Sequence, residues 1–138
     1  LYFNSSGILP LNSLGKLMAD DKQLRLRILF GQEIAMGPGK LNLLRAISTR
    51  GSISGAARQM NMSYRRAWLL VDTMNRCFRS PVVAASPGGK GGGGATITEF
   101  GQTVIDSYEA MEQKAVAATL RDIEKFSLLM SDNHLPST

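Results

Sequence analysis

The chain has 138 residues, 43% of them hydrophobic, a formal net charge of +5 and a sequence pI of about 9.7. That length suits one compact domain, the apolar fraction excludes wholesale disorder, and the basic balance favours an anionic partner, nucleic acid or a membrane surface. The single cysteine, Cys77, excludes an internal disulfide framework and fits a reducing, cytoplasmic setting, while the absence of a run of about 18 apolar residues argues against a membrane span.

The first residues, LYFNSSG, look like the remnant of a cleaved tag, with Asn4 where such a site carries Gln. Residues 8–22 carry Pro, Gly and Asn punctuation without a clear period, so residues 1–22 are expected to be poorly ordered. No charged segment followed by an apolar one opens the chain, so no secretory signal is expected. In Gln23–Phe30 the apolar Leu24, Leu26 and Ile28 alternate with Arg25 and Arg27, the period of a half-buried strand. Gly31–Gly39, with three glycines and a proline, reads as a loop or irregular strand end, with Pro38 suited to a helix start.

From Lys40 the period becomes helical. Leu41, Leu44, Ile47 and Ser48 share one face, with Leu43 and Ala46 beside them, and Gly51 suits the left-handed position after the last turn. Ser52 is a good N-cap for a second helix, whose inner stripe is Ile53, Ala56, Ala57 and Met60. Two small alanines allow a steep, close helix crossing. Asn61 suits a tight turn, and Ser63 caps a third helix. In that helix Ala67, Leu70, Val71 and Met74 can face inward and Trp68 can fill the gap between helices. It should end near Cys77–Ser80, before Pro81.

Val82–Ser86 and Ala95–Thr98 read as short strands on either side of a glycine-rich loop, Pro87–Gly94. Thr98 can cap a final helix from Glu99 to about Met130, which at 1.5 Å per residue would span roughly 45 Å. Spacings of three and four persist along it through Val116, Leu120, Ile123 and Phe126, a pattern suited to dimerisation or to folding back on its own domain. Residues 131–138 read as a frayed tail. The expected organisation is therefore a head over 23–98, a long helix over 99–130 and short ends.

Charge is segregated along this order. Residues 38–79 hold eight basic residues against Asp72, a net of +7, and residues 99–138 hold seven acidic against three basic, a net of −4. In a helix-turn-helix the second helix enters the major groove with its first residues at the base edges. Those residues are Ser63, Tyr64, Arg65 and Arg66. An arginine fork matches guanine O6 and N7 and equally well a phosphate, and Ser and Tyr hydroxyls donate to phosphate. Ser52 and Ser54, at the start of the preceding helix, join the candidate DNA-binding set.

Gly89–Gly94 satisfies G-x-G-x-x-G only trivially, without the parallel unit and acidic residue of a dinucleotide fold. Lys90 is followed by Gly91 and not by Ser or Thr, against a Walker loop. The loop reads instead as a hairpin tip whose amides and Lys90 approach phosphates, or as a plain linker. No enzyme is expected. The only histidine, His134, lies in the tail, Cys77 reads as a packing residue, and no cluster has metal-ligand spacing.

GSIS at 51–54, MSYRRAW at 62–68, MN at 74–75, GGKGGGGA at 88–95 and T-x-x-G at 98–101 together resemble the DNA-binding domain of the ModE family, the molybdate-responsive regulators, itself similar to the head of LysR-type regulators. The resemblance covers about residues 23–120. It implies a mainly α fold with a small β-hairpin, a winged helix-turn-helix followed by a long dimerisation helix, that binds operator DNA as a homodimer. It places the reading helix at 63–78 and the wing tip at 88–94. A full ModE carries a molybdate-binding module after the head. This chain ends at Thr138 without room for one, so molybdate binding and a cofactor are not expected, and the chain reads as a head-only member or a truncation. A sequence-blind architectural DNA-binding protein and a winged-helix protein-interaction module remain the alternatives.

Overall fold

The computed structural model describes residues 23–89 and 92–131, with backbone alone for 87–89 and 92. The expectations for residues 1–22 and 132–138 lie outside the described residues, as do those for Lys90 and Gly91. Residues 26–109 form one unit, and the described residues 23–25 and 110–131 belong to a second.

The order is β1 (Ile28–Phe30), β2 (Glu33–Met36), α1 (Pro38–Arg50), α2 (Ile53–Gln59), α3 (Tyr64–Cys77), β3 (Val83–Gly89), β4 (Gly92–Ile97) and α4 (Glu99–Ser127). The fold is mainly helical, with two antiparallel hairpins in place of the single one expected. The extra hairpin is β1–β2. The predicted strand over 23–30 shrinks to three residues, and the segment read as a loop or irregular strand end holds β2. Gly31, at φ +63°, turns the chain so that Phe30 pairs with Glu33 and Leu29 with Ile34. A bulge between Ile28 and Leu29 shifts the remaining pair to Met36.

Each helix boundary has a local cause. Pro38 occupies the first turn of α1, where a missing N–H costs nothing. Gly51, at φ +73°, closes α1 by donating its N–H to Ile47 O at 2.7 Å. Ser52 Oγ accepts from Gly55 N at 3.0 Å and Ser63 Oγ from Arg66 N at 3.1 Å, so both serines cap as expected. Asn61 takes the left-handed turn between α2 and α3, at φ 55°. Thr98 Oγ1 accepts from Gly101 N at 2.8 Å and donates to Pro81 O at 2.7 Å, which caps α4 and ties it to the start of β3. The last residues expected in α4 instead form a tighter turn, with Leu128 N donating to Lys125 O and Leu129 N to Phe126 O.

The core of the first unit is built on the stripes read from the periodicity. Leu41, Leu43, Leu44 and Ile47 of α1 pack with Ala56 and Ala57 of α2. Ala67, Val71 and Met74 of α3 join them, with Val82, Ile105 and Tyr108. Burying a Leu, Ile or Met side chain contributes roughly 1.5–3 kcal/mol. Two expected core residues lie elsewhere. Ser48 is exposed, because Leu44 and Ile47 already fill that face. Trp68 is 45% exposed and stays outside the buried cluster. Ala67 takes the inward position, and one residue further turns the side chain about 100° around the helix.

Candidate nucleic-acid interface

Hairpin β3–β4 packs against α1 through β4 and is bonded to α3 at its base. Val83 pairs with Ile97, Ala85 with Ala95, Ser86 with Gly94 and Gly89 with Gly92. The strands therefore take in most of the glycines expected in the loop and leave only Lys90 and Gly91 between them. Such pairing is open to glycine, since the ladder uses backbone N–H and C=O groups alone.

The hairpin is fastened at its base by Asn75 of α3. Asn75 Oδ1 accepts from Val82 N at 2.8 Å and Val83 N at 3.2 Å, and Asn75 Nδ2 donates to Val83 O at 3.2 Å. On the other side Ala95 N donates to Gly51 O at 2.8 Å. A Cβ at Gly94 would stand 2.9 Å from that same oxygen, so only glycine lets β4 pass so close to the α1–α2 corner. Phe78 and Phe100 meet edge to face at 6.5 Å between centroids, and the Arg79 guanidinium lies 5.5 Å over the Phe100 ring.

Between α2, α3 and the hairpin opens a concavity of about 640 Å³. Ser52, Ser54, Tyr64 and Trp68 line it together with Gly93 and Gly94. A smaller one of about 320 Å³ lies on the other flank of α3, bordered by Ser63, Arg65, Arg66 and Leu69. The structure thus distributes the sequence-derived residues over two sides of one helix start. Ser52 and Ser63 spend their lone pairs on capping, while Ser54 donates to Ser52 Oγ at 3.5 Å. Tyr64, Arg65 and Arg66 are exposed.

The basic run of 38–79 is less free than a charge count suggests. Arg45 pairs with Glu109 at 2.5 Å, and Arg50 donates to Gln59 Oε1 at 2.8 Å. Arg76 pairs with Asp72 at 3.1 Å and Glu33 at 3.3 Å, which raises its pKa, chiefly through the bond to Asp72. Lys40 donates to Ile34 O, and burial lowers its pKa against the pull of Cys77 and Glu33. Arg58, Arg65 and Arg66 have no ion-pair or side-chain hydrogen-bond partner among the described residues. Arg79, whose guanidinium lies over Phe100, has none either, and Arg65 and Arg66 stand at the start of α3.

Cys77 does not lie on an apolar face. Its thiol donates to Glu33 Oε2 at 3.6 Å, and burial, then that bond, raise its pKa, so it is a poor nucleophile at neutral pH. Among the described residues no group of His, Cys, Asp and Glu could hold a metal ion. No described helix is long and apolar enough to cross a membrane.

Sequence reasoning missed the fastening role of Asn75 and the exposure of Trp68. The MN pair at 74–75 was visible, yet nothing in its spacing says which backbone the amide meets. Trp68 could have been placed by noting that Ala67, one position earlier, completes the inward stripe with Val71 and Met74.

In the second unit Val116 is buried, Leu120 and Ile123 are half-buried and Phe126 is exposed. Leu128, Leu129 and Met130 are exposed beyond it. Arg25 Nε lies 3.6 Å from Glu112 Oε2.

No family model matches the chain. Curated relatives do. The molybdenum-pterin-binding protein MopB of Rhodobacter capsulatus is 48% identical over 90 residues, 65% of this chain and 33% of that protein. The DNA-binding transcriptional dual regulator ModE of Escherichia coli (strain K12) is 33% identical over 114 residues, 83% of this chain and 41% of the regulator. The molybdenum transport protein ModE of Azotobacter vinelandii is 36% identical over 93 residues, 67% of this chain and 34% of that protein. The chain spans between a third and about two fifths of the length of these relatives. Over that part it is homologous to the ModE regulators and to the Mop proteins.

Proposed function

We propose that the chain is a DNA-binding transcriptional regulator of the ModE type, a winged helix-turn-helix that binds operator DNA as a homodimer. The observation that carries this reading is the start of α3. A serine-capped helix of 14 residues presents Tyr64, Arg65 and Arg66 to solvent beside a fastened glycine hairpin, and both arginines are unengaged among the described residues. The two guanidiniums suit base edges and phosphates, and the positive end of the helix dipole adds to them. The hairpin's glycine backbone and Lys90–Gly91 would meet phosphate oxygens at the wing. The regulator named ModE in Escherichia coli supports the same reading.

In a gel-shift titration of a duplex enriched from a genomic library, Arg65→Ala and Arg66→Ala should each weaken binding. The loss is about 1–3 kcal/mol where the contact is to a base. Unchanged affinity in both variants would remove α3 from the interface. The Mop relatives are named for binding molybdenum-pterin and the ModE resemblance points to molybdate, so the titration is run with and without molybdate.

Pairing is assigned to α4 through Leu120, Ile123 and Phe126, with Val116, already buried within the chain, behind them, and what supports it is the exposed apolar surface around Phe126. Two heads on one duplex face would read half-sites about 34–36 Å apart. Ile123→Glu combined with Phe126→Glu should shift the chain to monomer in sedimentation equilibrium. A wild type that stays monomeric at high concentration contradicts the dimer.

A further inference from the structure

We infer that the outer face of α3 reads thymine through Trp68, which packs on the C5-methyl group while its indole N–H donates to the neighbouring O4. This rests on the duplex-binding reading above. With Ala67, Val71 and Met74 turned inward, the first two turns expose Tyr64 and Trp68 on the flank towards the hairpin and Arg65 and Leu69 on the other. Tyr64 is 56% exposed, Trp68 45% and Leu69 46%. Three large, partly apolar side chains exposed at the start of one surface helix mark a binding surface.

Charge decides what that surface meets. Arg65 and Arg66 border it, and residues 63–71 hold no acidic group. A face that is apolar and cationic at once fits the major groove, where phosphates rim a floor of base edges. On that floor thymine alone offers a methyl group, and it sets a hydrogen-bond acceptor, O4, next to it. Tryptophan is the matching side chain, an apolar ring with one N–H donor and no acceptor. Asp72 begins the third turn on the same face, but Arg76 holds its carboxylate at 3.1 Å, so reading is confined to the first two turns.

Deoxyuridine lacks only the C5-methyl group of thymidine, so it tests this contact without changing pairing. The full chain is used to enrich a random-sequence duplex library, and the best-bound duplex is resynthesised with deoxyuridine at one thymidine at a time. At one or two positions per half-site the wild type should lose about fourfold in affinity per methyl, the worth of burying one methyl group. Trp68→Ala should bind more weakly and lose the thymidine preference at those positions. Trp68→Phe should keep the preference. Arg65→Ala should weaken binding while keeping it. Because Trp68 is half exposed, its loss leaves the core intact, and circular dichroism checks this for each variant. Tight binding by the wild type with no position sensitive to deoxyuridine overturns the inference and leaves the regulator reading standing. A sensitivity that survives Trp68→Ala also overturns it. If no duplex is enriched at all, both readings fall.

Discussion

The two hairpins are built from opposite materials. β1–β2 carries Leu29 and Phe30 in the open, and it is tied to the helices by side chains that reach out to it. Lys40 donates to Ile34 O, and Arg76 and Cys77 meet the Glu33 carboxylate. β3–β4 has almost no side chains towards its tip, yet backbone bonds and one half-buried amide hold it. Asn75 grips Val82 and Val83, Gly51 O takes the Ala95 N–H, and Val82 O takes the Thr98 N–H. Glycine richness therefore does not make the second hairpin loose at its base. It lets strands approach other backbone closely enough to be bonded to it. Ion pairs on an exposed surface contribute at most about 1 kcal/mol and fade in salt, whereas a half-buried amide with three bonds does not. The hairpin proposed to touch DNA is the one whose fastening survives salt.

The largest effect should come from the close approach at the base of β3. A Cβ on Gly101 would stand 2.2 Å from Val82 O and 3.0 Å from Val82 Cα, backbone that cannot swing aside. Gly101→Ala should cost at least ~3 kcal/mol, read as a fall in Tm of more than about 10 °C or as failure to fold. A near-normal Tm would mean that α4 and β3 are not held this closely.

Next comes Asn75→Ala, which leaves half-buried backbone groups of β3 unpaired and should cost about 1–3 kcal/mol. Asn75→Asp keeps the acceptor for Val82 N and Val83 N but loses the donor to Val83 O and sets a carboxylate oxygen against it, so it should cost at least as much. Thermal unfolding at low and high salt checks both, and for Asn75→Ala the difference from wild type should be nearly independent of salt.

The smallest effect belongs to the first hairpin. Burial and the Glu33 carboxylate raise the pKa of Cys77, while Lys40 and Arg76 pull it down. The folded thiol thus keeps its proton to higher pH than the unfolded one. The stability linked to this is complete below the ordinary thiol pKa and is lost as pH rises through the folded value. Iodoacetamide should alkylate Cys77 more slowly than a free thiol at mildly alkaline pH, and Cys77→Ala should flatten the decline in stability across that window. Alkylation as fast as a free thiol would contradict the Glu33 contact.

The same contrast explains what could be read in the chain. Four helices and their starts followed from local signals: Pro38, Ser52, Asn61, Ser63 and Thr98 each act on residues a turn away. The second hairpin was visible because strand-forming residues flank its glycines, although the strands run further into the glycines than side-chain preference suggests. The first hairpin was not. Gly31, Gly37, Pro38 and Gly39 look like a loop, and what makes Glu33–Met36 a strand is its partner strand and the side chains of α1 and α3, which no local window contains. Trp68 went astray for a related reason, since large apolar residues are assumed to face inward and here Ala67 does.

The central claim, that α3 and the β3–β4 hairpin recognise particular duplex sequences, is tested most directly by one ratio. At a single fixed salt concentration the affinity for an enriched duplex is divided by that for the same duplex with its half-sites scrambled. Specific readout predicts a ratio of about 10³ or more, falling sharply in the Arg65→Ala, Arg66→Ala double variant. A ratio near one, with both affinities dropping in parallel as salt rises, would mean that the chain holds phosphates without reading bases, and would contradict the account.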